Sequence, residues 1–295
     1  MKFKSGFASL IGRPNVGKST LMNNIIGEKI AIISNKPQTT RNKIQCVYTE
    51  NDFQVVFLDT PGLHKPKNKL GEYMVDVAKS TLDEVDIIIW LVDDSTQIGP
   101  GDKYIYEEIK KLSTPKILVI NKIDKMTKEE IEEAVQNYSE LGEFEDIIPI
   151  SALNGIGVEK LTNTIKRLLP EGPKYFPDDM ITDQPERLII SEIIREKALH
   201  YLEQEVPHGV AVDIDLIKKR EGKEIVDINA TIYCEKESHK GIIIGKEGRK
   251  LKGIGKSARI DIERLLGSKV FLDLWVKVKK DWREKESALR YFSYK

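Results

Sequence analysis

The chain has 295 residues, 40% of them hydrophobic and 32% charged, with 47 acidic against 47 basic side chains. This is ordinary soluble composition, and the length suits two domains better than one. Cys46 and Cys234 stand far apart with no metal-ligand spacing, the N-terminal stretch lacks an apolar leader, and the longest apolar run, 87–92, is too short to span a bilayer. These features argue against a disulfide framework, a secretory signal and a membrane helix, and a cytoplasmic protein is expected.

From the N-terminus, the apolar run 7–11 reads as a buried strand and 20–26 as the helix that follows. Between them lies Gly12-Arg13-Pro14-Asn15-Val16-Gly17-Lys18-Ser19-Thr20, which fits the phosphate-loop pattern GxxxxGK[ST] in its required strand–loop–helix setting. The glycines let backbone N–H groups curl around phosphates, and the helix N-terminus favours an anion. Lys18 would reach the outer phosphates and the Ser19 hydroxyl would ligate Mg²⁺. The runs 44–49 and 53–58, separated by Glu50-Asn51-Asp52, read as a hairpin. Runs 87–92, 116–120 and 146–150 read as buried parallel strands, with helical spacing over 69–82, 101–112, 128–141 and 158–169. This alternation predicts a doubly wound α/β domain, in which ligands sit at the C-terminal ends of strands.

Three further motifs fall at such strand ends. Asp59-Thr60-Pro61-Gly62 offers a carboxylate to hold Mg²⁺ through water and a Gly N–H to sense a γ-phosphate. Asn121-Lys122-Ile123-Asp124 offers a base reader: the Asp124 carboxylate can accept from guanine N1–H and the 2-amino group, donors that adenine does not place there. Asn121 would tie the loops together, and the Lys122 stem would cover the base. In Ser151-Ala152-Leu153 the Ala152 N–H is placed to meet guanine O6.

These four motifs in this order resemble the translation-factor-related GTPases. The segment Lys36-Pro37-Gln38-Thr39-Thr40-Arg41 looks like their first switch, where one threonine closes over Mg²⁺ and the γ-phosphate. The sequence does not choose between Thr39 and Thr40; the resemblance favours Thr40. Lys18, Thr40, Asp59 and Gly62 are thus the expected catalytic set. Leu63 stands where Ras-like proteins carry a water-orienting Gln, so hydrolysis must use another group. His64 is a candidate base or a solvated loop residue, and Arg41 a candidate finger without further support. Asn15 either braces the loop or, as in related GTPases, ligates K⁺ and supplies the missing charge stabilisation. Slow intrinsic turnover follows from either.

Prolines at 170, 173, 177 and 185 mark an extended connection, so domains are expected at 1–171 and 186–280, with a linker at 172–185 and a tail at 281–295. Residues 186–279 read as helix, strand, strand, helix, helix, strand. Ile244-Gly245-Lys246-Glu247-Gly248-Arg249-Lys250 places a GxxG between the two consecutive helices. This α+β pattern resembles a KH domain of the prokaryotic (type II) topology, in which GxxG lets the backbone clamp single-stranded nucleic acid. The neutral net charge also hides an asymmetry: residues 239–295 hold 16 Lys and Arg against 7 Asp and Glu, which suits a polyanion. A helix-capping glycine pair in a protein-binding module is the rival reading. The tail, with Trp282, Leu289, Tyr291 and Phe292, reads as a final amphipathic helix.

A GTPase domain followed by a KH domain is similar to the Era family of bacterial GTPases, over nearly the whole chain. The resemblance implies GTP and GDP as ligands, binding to the 3′ end of 16S rRNA and assembly of the 30S subunit. It further implies partial peripheral association with the inner membrane, and a monomer is expected. The alternative is a GTP-binding scaffold or membrane-surface GTPase with little turnover.

Overall fold

The computed structural model describes residues 2–34, 36, 39–63 and 65–294, so Asn35, Pro37, Gln38 and His64 of the first switch and the candidate base lie outside the described residues. The chain divides into two compact units: Met1–Ala31, Thr40–Pro66 and Gly71–Asp183 form the first, and Ile32–Thr39, Lys67–Leu70 and Gln184–Lys295 the second.

The first unit is built on a six-stranded sheet of order β2-β3-β1-β4-β5-β6, from β1 (Lys4–Gly12), β2 (Ile44–Thr49), β3 (Phe53–Asp59), β4 (Ile87–Val92), β5 (Lys116–Ile120) and β6 (Asp146–Pro149). All neighbours run parallel except β2 with β3, the expected hairpin. The helices are α1 (Lys18–Ile26), α2 (Lys69–Leu82), α3 (Pro100–Ile109), α4 (Lys128–Ser139) and α5 (Val158–Leu168). The central strand β4 is apolar at every position because both its faces are covered. Along β4, Ile87, Ile89 and Leu91 enter one core with Leu21, Met22 and Leu161, whereas Ile88, Trp90 and Val92 enter the other with Ile105, Ile109 and Tyr138. The expected doubly wound α/β class is what the structure shows.

The stretch 172–183 is extended, as its prolines require, but it is not a detached linker. It covers the edge strand β2: Val47 N–H donates to Ile181 O at 2.9 Å and Thr182 Oγ1 donates to Gln45 O at 2.6 Å. The buried Gln54 completes the attachment, donating to Phe176 O and accepting from the Tyr175 and Phe176 N–H groups. An open sheet edge exposes unpaired backbone groups, and this segment satisfies them.

The second unit follows the expected order: α6 (Glu186–Tyr201), β7 (Ala211–Lys219), β8 (Ile225–Cys234), α7 (Glu237–Ile244), α8 (Arg249–Leu266) and β9 (Lys269–Val278). Its three-stranded sheet pairs β7 antiparallel and β9 parallel to β8. One face buries Ile190, Ile194, Ile254, Ala258 and Ile262 from α6 and α8 against Ile228, Ala230 and Ile232 of β8.

The tail differs from the single helix expected. It is a 3-10 turn, Trp282–Glu284, followed by the short helix α9 (Glu286–Tyr291). Most of its apolar side chains are internal, Tyr291 being exposed: Trp282 and Leu289 are buried, and the Trp282 indole donates to Gly209 O at 2.9 Å and packs against the Phe292 and Tyr294 rings. Trp282→Ala should therefore lower the stability of this unit by about 3–5 kcal/mol, measured by chemical denaturation of the full chain with far-UV circular dichroism.

Candidate functional site

The C-terminal ends of β1, β3, β5 and β6 bring the four motifs into one place. The phosphate loop leaves β1 with Gly12 at φ +150°, Asn15 at φ +67° and Gly17 at φ +103°. These left-handed turns are where glycine costs least and Asn is tolerated. Val16 is buried beneath the loop, Asn15 is exposed, and Ser19 and Thr20 are half-buried in the first turn of α1.

Lys18 is buried, its ammonium donating to the Gly12 and Arg13 carbonyls at 3.2 and 3.1 Å. Desolvation lowers its pKa to about 8, with the Asp59 carboxylate opposing that drop. Burial conversely raises the Asp59 pKa, against the pull of Lys18 and of the Ser19 and Thr40 hydroxyls. Ser19 Oγ donates to Asp59 Oδ2 at 2.7 Å, Thr40 Oγ1 lies 3.1 Å from Ser19 Oγ, and it donates to the same Asp59 oxygen at 3.3 Å. The other Asp59 oxygen, Oδ1, is buried without a hydrogen-bond partner. Three hard oxygen donors converging around a buried, incompletely satisfied carboxylate suit Mg²⁺.

The two adjacent threonines are separated by this geometry. Thr40 is buried with Ser19 and Asp59, whereas the Thr39 hydroxyl donates to the Lys36 and Ser34 carbonyls. Gly62 is packed on the loop itself: a Cβ there would stand 2.7 Å from the Pro14 nitrogen. Leu63 is a core side chain, at 1% exposure, beside Val75 and Trp90. Arg41 is buried as well.

The base-reading loops are joined by one amide. Asn121 Nδ2 donates to Val16 O at 2.7 Å, and its Oδ1 accepts from the Ala152 N–H at 2.9 Å. Gly17 must lack a side chain for this, because a Cβ would fall 2.2 Å from Asn121 Nδ2. The Ala152 N–H, expected for guanine O6, is thus engaged by Asn121. Asp124, in the 3-10 turn Ile123–Lys125, is exposed and is oriented by a 2.5 Å hydrogen bond from Ser151 Oγ. Lys122 sits at φ +68° with its ammonium 3.7 Å from Asp94. Leu153 is 74% exposed, an apolar side chain at the open side of the loop.

In the second unit, α7 ends at Ile244 and α8 begins at Arg249. Between them Gly245 (φ +71°) and Gly248 (φ +74°) flank a 3-10 turn with Glu247 at φ +54°. Lys246, Glu247 and Arg249 are exposed, Ile244 and Lys250 half-buried. No side chain caps the N-terminus of α8; the Arg249 N–H turns back to Lys246 O, and the helix N-terminus beside the exposed Lys246 suits a phosphate. Sequence reasoning passed over Arg13, which occupies an unspecified place in the loop pattern. Only its partners, far along the chain, distinguish it.

The sheet order, the phosphate loop and the guanine-reading loops define a GTP hydrolase domain, here joined to a unit of KH type. A sequence model described as "50S ribosome-binding GTPase" matches residues 7–122, and one described as "KH domain" matches 205–283. GTPase Era of Alkaliphilus oremlandii is 67% identical over 100% of both chains. Era of Aquifex aeolicus bound to GDP and aluminium fluoride superposes with a TM-score of 0.96 at 44% identity, over 99% of each chain. A second Era structure, in complex with MgGDPNP and nucleotides 1506–1542 of 16S ribosomal RNA, matches with the same TM-score, identity and coverage. The chain belongs to the Era family of GTPases.

Three substitutions test the site. Asp124→Asn exchanges a carboxylate that accepts two donors for an amide that accepts one and donates one. It should weaken GTP binding by at least about 100-fold and favour the xanthine nucleotide, whose C2 oxygen accepts; equilibrium titration with both nucleotides checks this. Thr40→Ala should lower the Mg²⁺-dependent hydrolysis rate by about 100-fold, whereas Thr39→Ala leaves it within a few-fold of the parent, as single-turnover phosphate release would report.

Proposed function

We propose that this GTPase is a slow switch that binds the single-stranded 3′ end of 16S rRNA through its second unit and acts in assembly of the 30S subunit. The observation that carries the reading is the 245–248 loop: two glycines at positive φ between consecutive helices, with Lys246 exposed beside the uncapped start of α8. Such a loop lets an RNA backbone approach main-chain N–H groups too closely for side chains to intervene. Exposed Lys252, Lys256 and Arg259 continue the positive charge along α8, and the Era structure matched over nearly the whole chain is a complex with a 16S rRNA fragment.

At the nucleotide site the chain's own groups bind, orient and hold. The N–H groups of 15–20 cradle the phosphates, and Lys18, released from two carbonyls, meets the outer ones. Ser19, Thr40 and Asp59 hold Mg²⁺, which when bound neutralises charge on the phosphates. Asp124 reads the guanine edge, and Gly62, resting on Pro14, presents its N–H toward the γ-phosphate. Leu63 points into the core and supplies no water-orienting group, which supports slow intrinsic turnover. The exposed Asn15 would be the residue to hold a K⁺ ion, whose charge would add to that of Mg²⁺.

GTP ordering of the first switch and of the loop after Asp59 biases RNA binding by the second unit. The ribosomal role carries a cytoplasmic setting with it. Trp282, Leu289 and Phe292 of the tail are buried, and among the described residues no helix is long and apolar enough to cross a membrane. RNA binding of the full chain should differ between a GTP analogue and GDP at fixed salt. It should fall by at least about tenfold in the double variant Lys246→Asp, Glu247→Asp. Equal affinity in both nucleotide states sinks the switch, and equal affinity of variant and parent sinks the GxxG site.

A further inference from the structure

Arg13 is placed at a junction that its position in the loop pattern does not disclose. Its main-chain carbonyl accepts from the Lys18 ammonium at 3.1 Å. Its guanidinium reaches away from the phosphate site and is held by two carboxylates. Nε lies 2.9 Å from both oxygens of Asp102, and a terminal nitrogen donates to Asp93 Oδ1 at 2.6 Å. Asp93 follows the end of β4, and Asp102 lies in the first turn of α3, fully buried. Tyr138 of α4 is buried against the same pair, and burial together with the Asp102 charge raises its pKa. The pocket is shaped for the arginine stem: a Cβ on Gly101 would stand 2.6 Å from Arg13 Cδ. The next residue, Pro14, is the surface on which Gly62 rests.

A buried carboxylate is costly unless a cation is held against it, and a forked guanidinium fixed by two carboxylates has little freedom left. The front of the phosphate loop is therefore anchored from behind. The anchoring groups belong to neither the phosphate-loop, guanine-reading nor switch motifs.

We infer that Arg13, clamped by Asp93 and Asp102, is a positioning residue that holds the Arg13 carbonyl and Pro14 in place for Lys18 and Gly62, and so sets how long the nucleotide stays bound. The inference rests on reading 12–20 as the phosphate site. Neither carboxylate touches the nucleotide; they act through Arg13.

The test is stopped-flow release of a fluorescent GDP from the full chain, with melting temperature measured for every variant. Arg13→Gln and Asp102→Asn should each release GDP about tenfold faster than the parent, the cost of one charged hydrogen bond. The double variant should release no faster than the quicker single one, since both break the same link. Asp86→Asn is the control for a merely structural effect. Asp86 accepts from the Phe7 N–H at 2.7 Å near the start of β1, so this variant should melt lower yet release GDP as the parent does. Release that tracks melting temperature across all variants, Asp86→Asn included, overturns the inference, as do single effects that multiply in the double variant. Should Asp102→Asn not fold, Arg13→Lys decides. That variant keeps the charge but not the fork, so faster release at an unchanged melting temperature supports the clamp and parental release overturns it. A parent chain that does not retain fluorescent GDP at all overturns the reading of the phosphate site instead.

Discussion

One side-chain amide holds the nucleotide site together. Asn121, at the end of β5, donates to the phosphate loop at Val16 and accepts from the loop after β6 at Ala152. Three segments, one of them more than a hundred residues from the other two, are thereby fixed relative to each other, in a buried place where an unmet amide would be costly. Gly17 follows from this: its glycine identity serves phosphate approach and also gives Asn121 the space it occupies. The parallel sheet supplies the rest, because it delivers each of these loops to the same edge.

Charge at the site is arranged so that the ligand completes it. Lys18 and Asp59 are both buried, and each supports the charge of the other by less than burial opposes it. Lys18 rests on two carbonyls, and Asp59 keeps one oxygen without a hydrogen bond. Phosphate and a divalent cation would relieve both, which is a physical reason for a site to bind the two together rather than either alone. The hydrolytic economy is equally legible: the side chain after Gly62 is committed to the core, so positioning of the attacking water cannot come from it.

The second unit repeats the principle in a simpler form. Two glycines and a strained Glu247 turn the chain between α7 and α8 so that Lys246 and Glu247 stand exposed. A loop of this kind carries little stability itself. It depends on the core of α6, α8 and the sheet, and on the tail, whose Trp282 donates to Gly209 O, meets Phe292 edge-on and stacks with Tyr294.

From the sequence alone came the α/β alternation, the four motifs with their order, the guanine preference at Asp124 and the GxxG between helices. These are legible because each depends on residues close together in the chain and on periodicities that burial imposes. What tertiary structure decided depends on direction and on distant partners. Thr40 rather than Thr39 meets Ser19 and Asp59, since successive side chains of an extended segment point opposite ways. Leu63 faces the core, 172–183 covers an open strand edge, and the tail turns Trp282 and Leu289 inward. Arg13 is the sharpest case: an unspecified letter of a motif becomes an anchor only when β4 and α3 bring Asp93 and Asp102 to it, and no local pattern records that meeting.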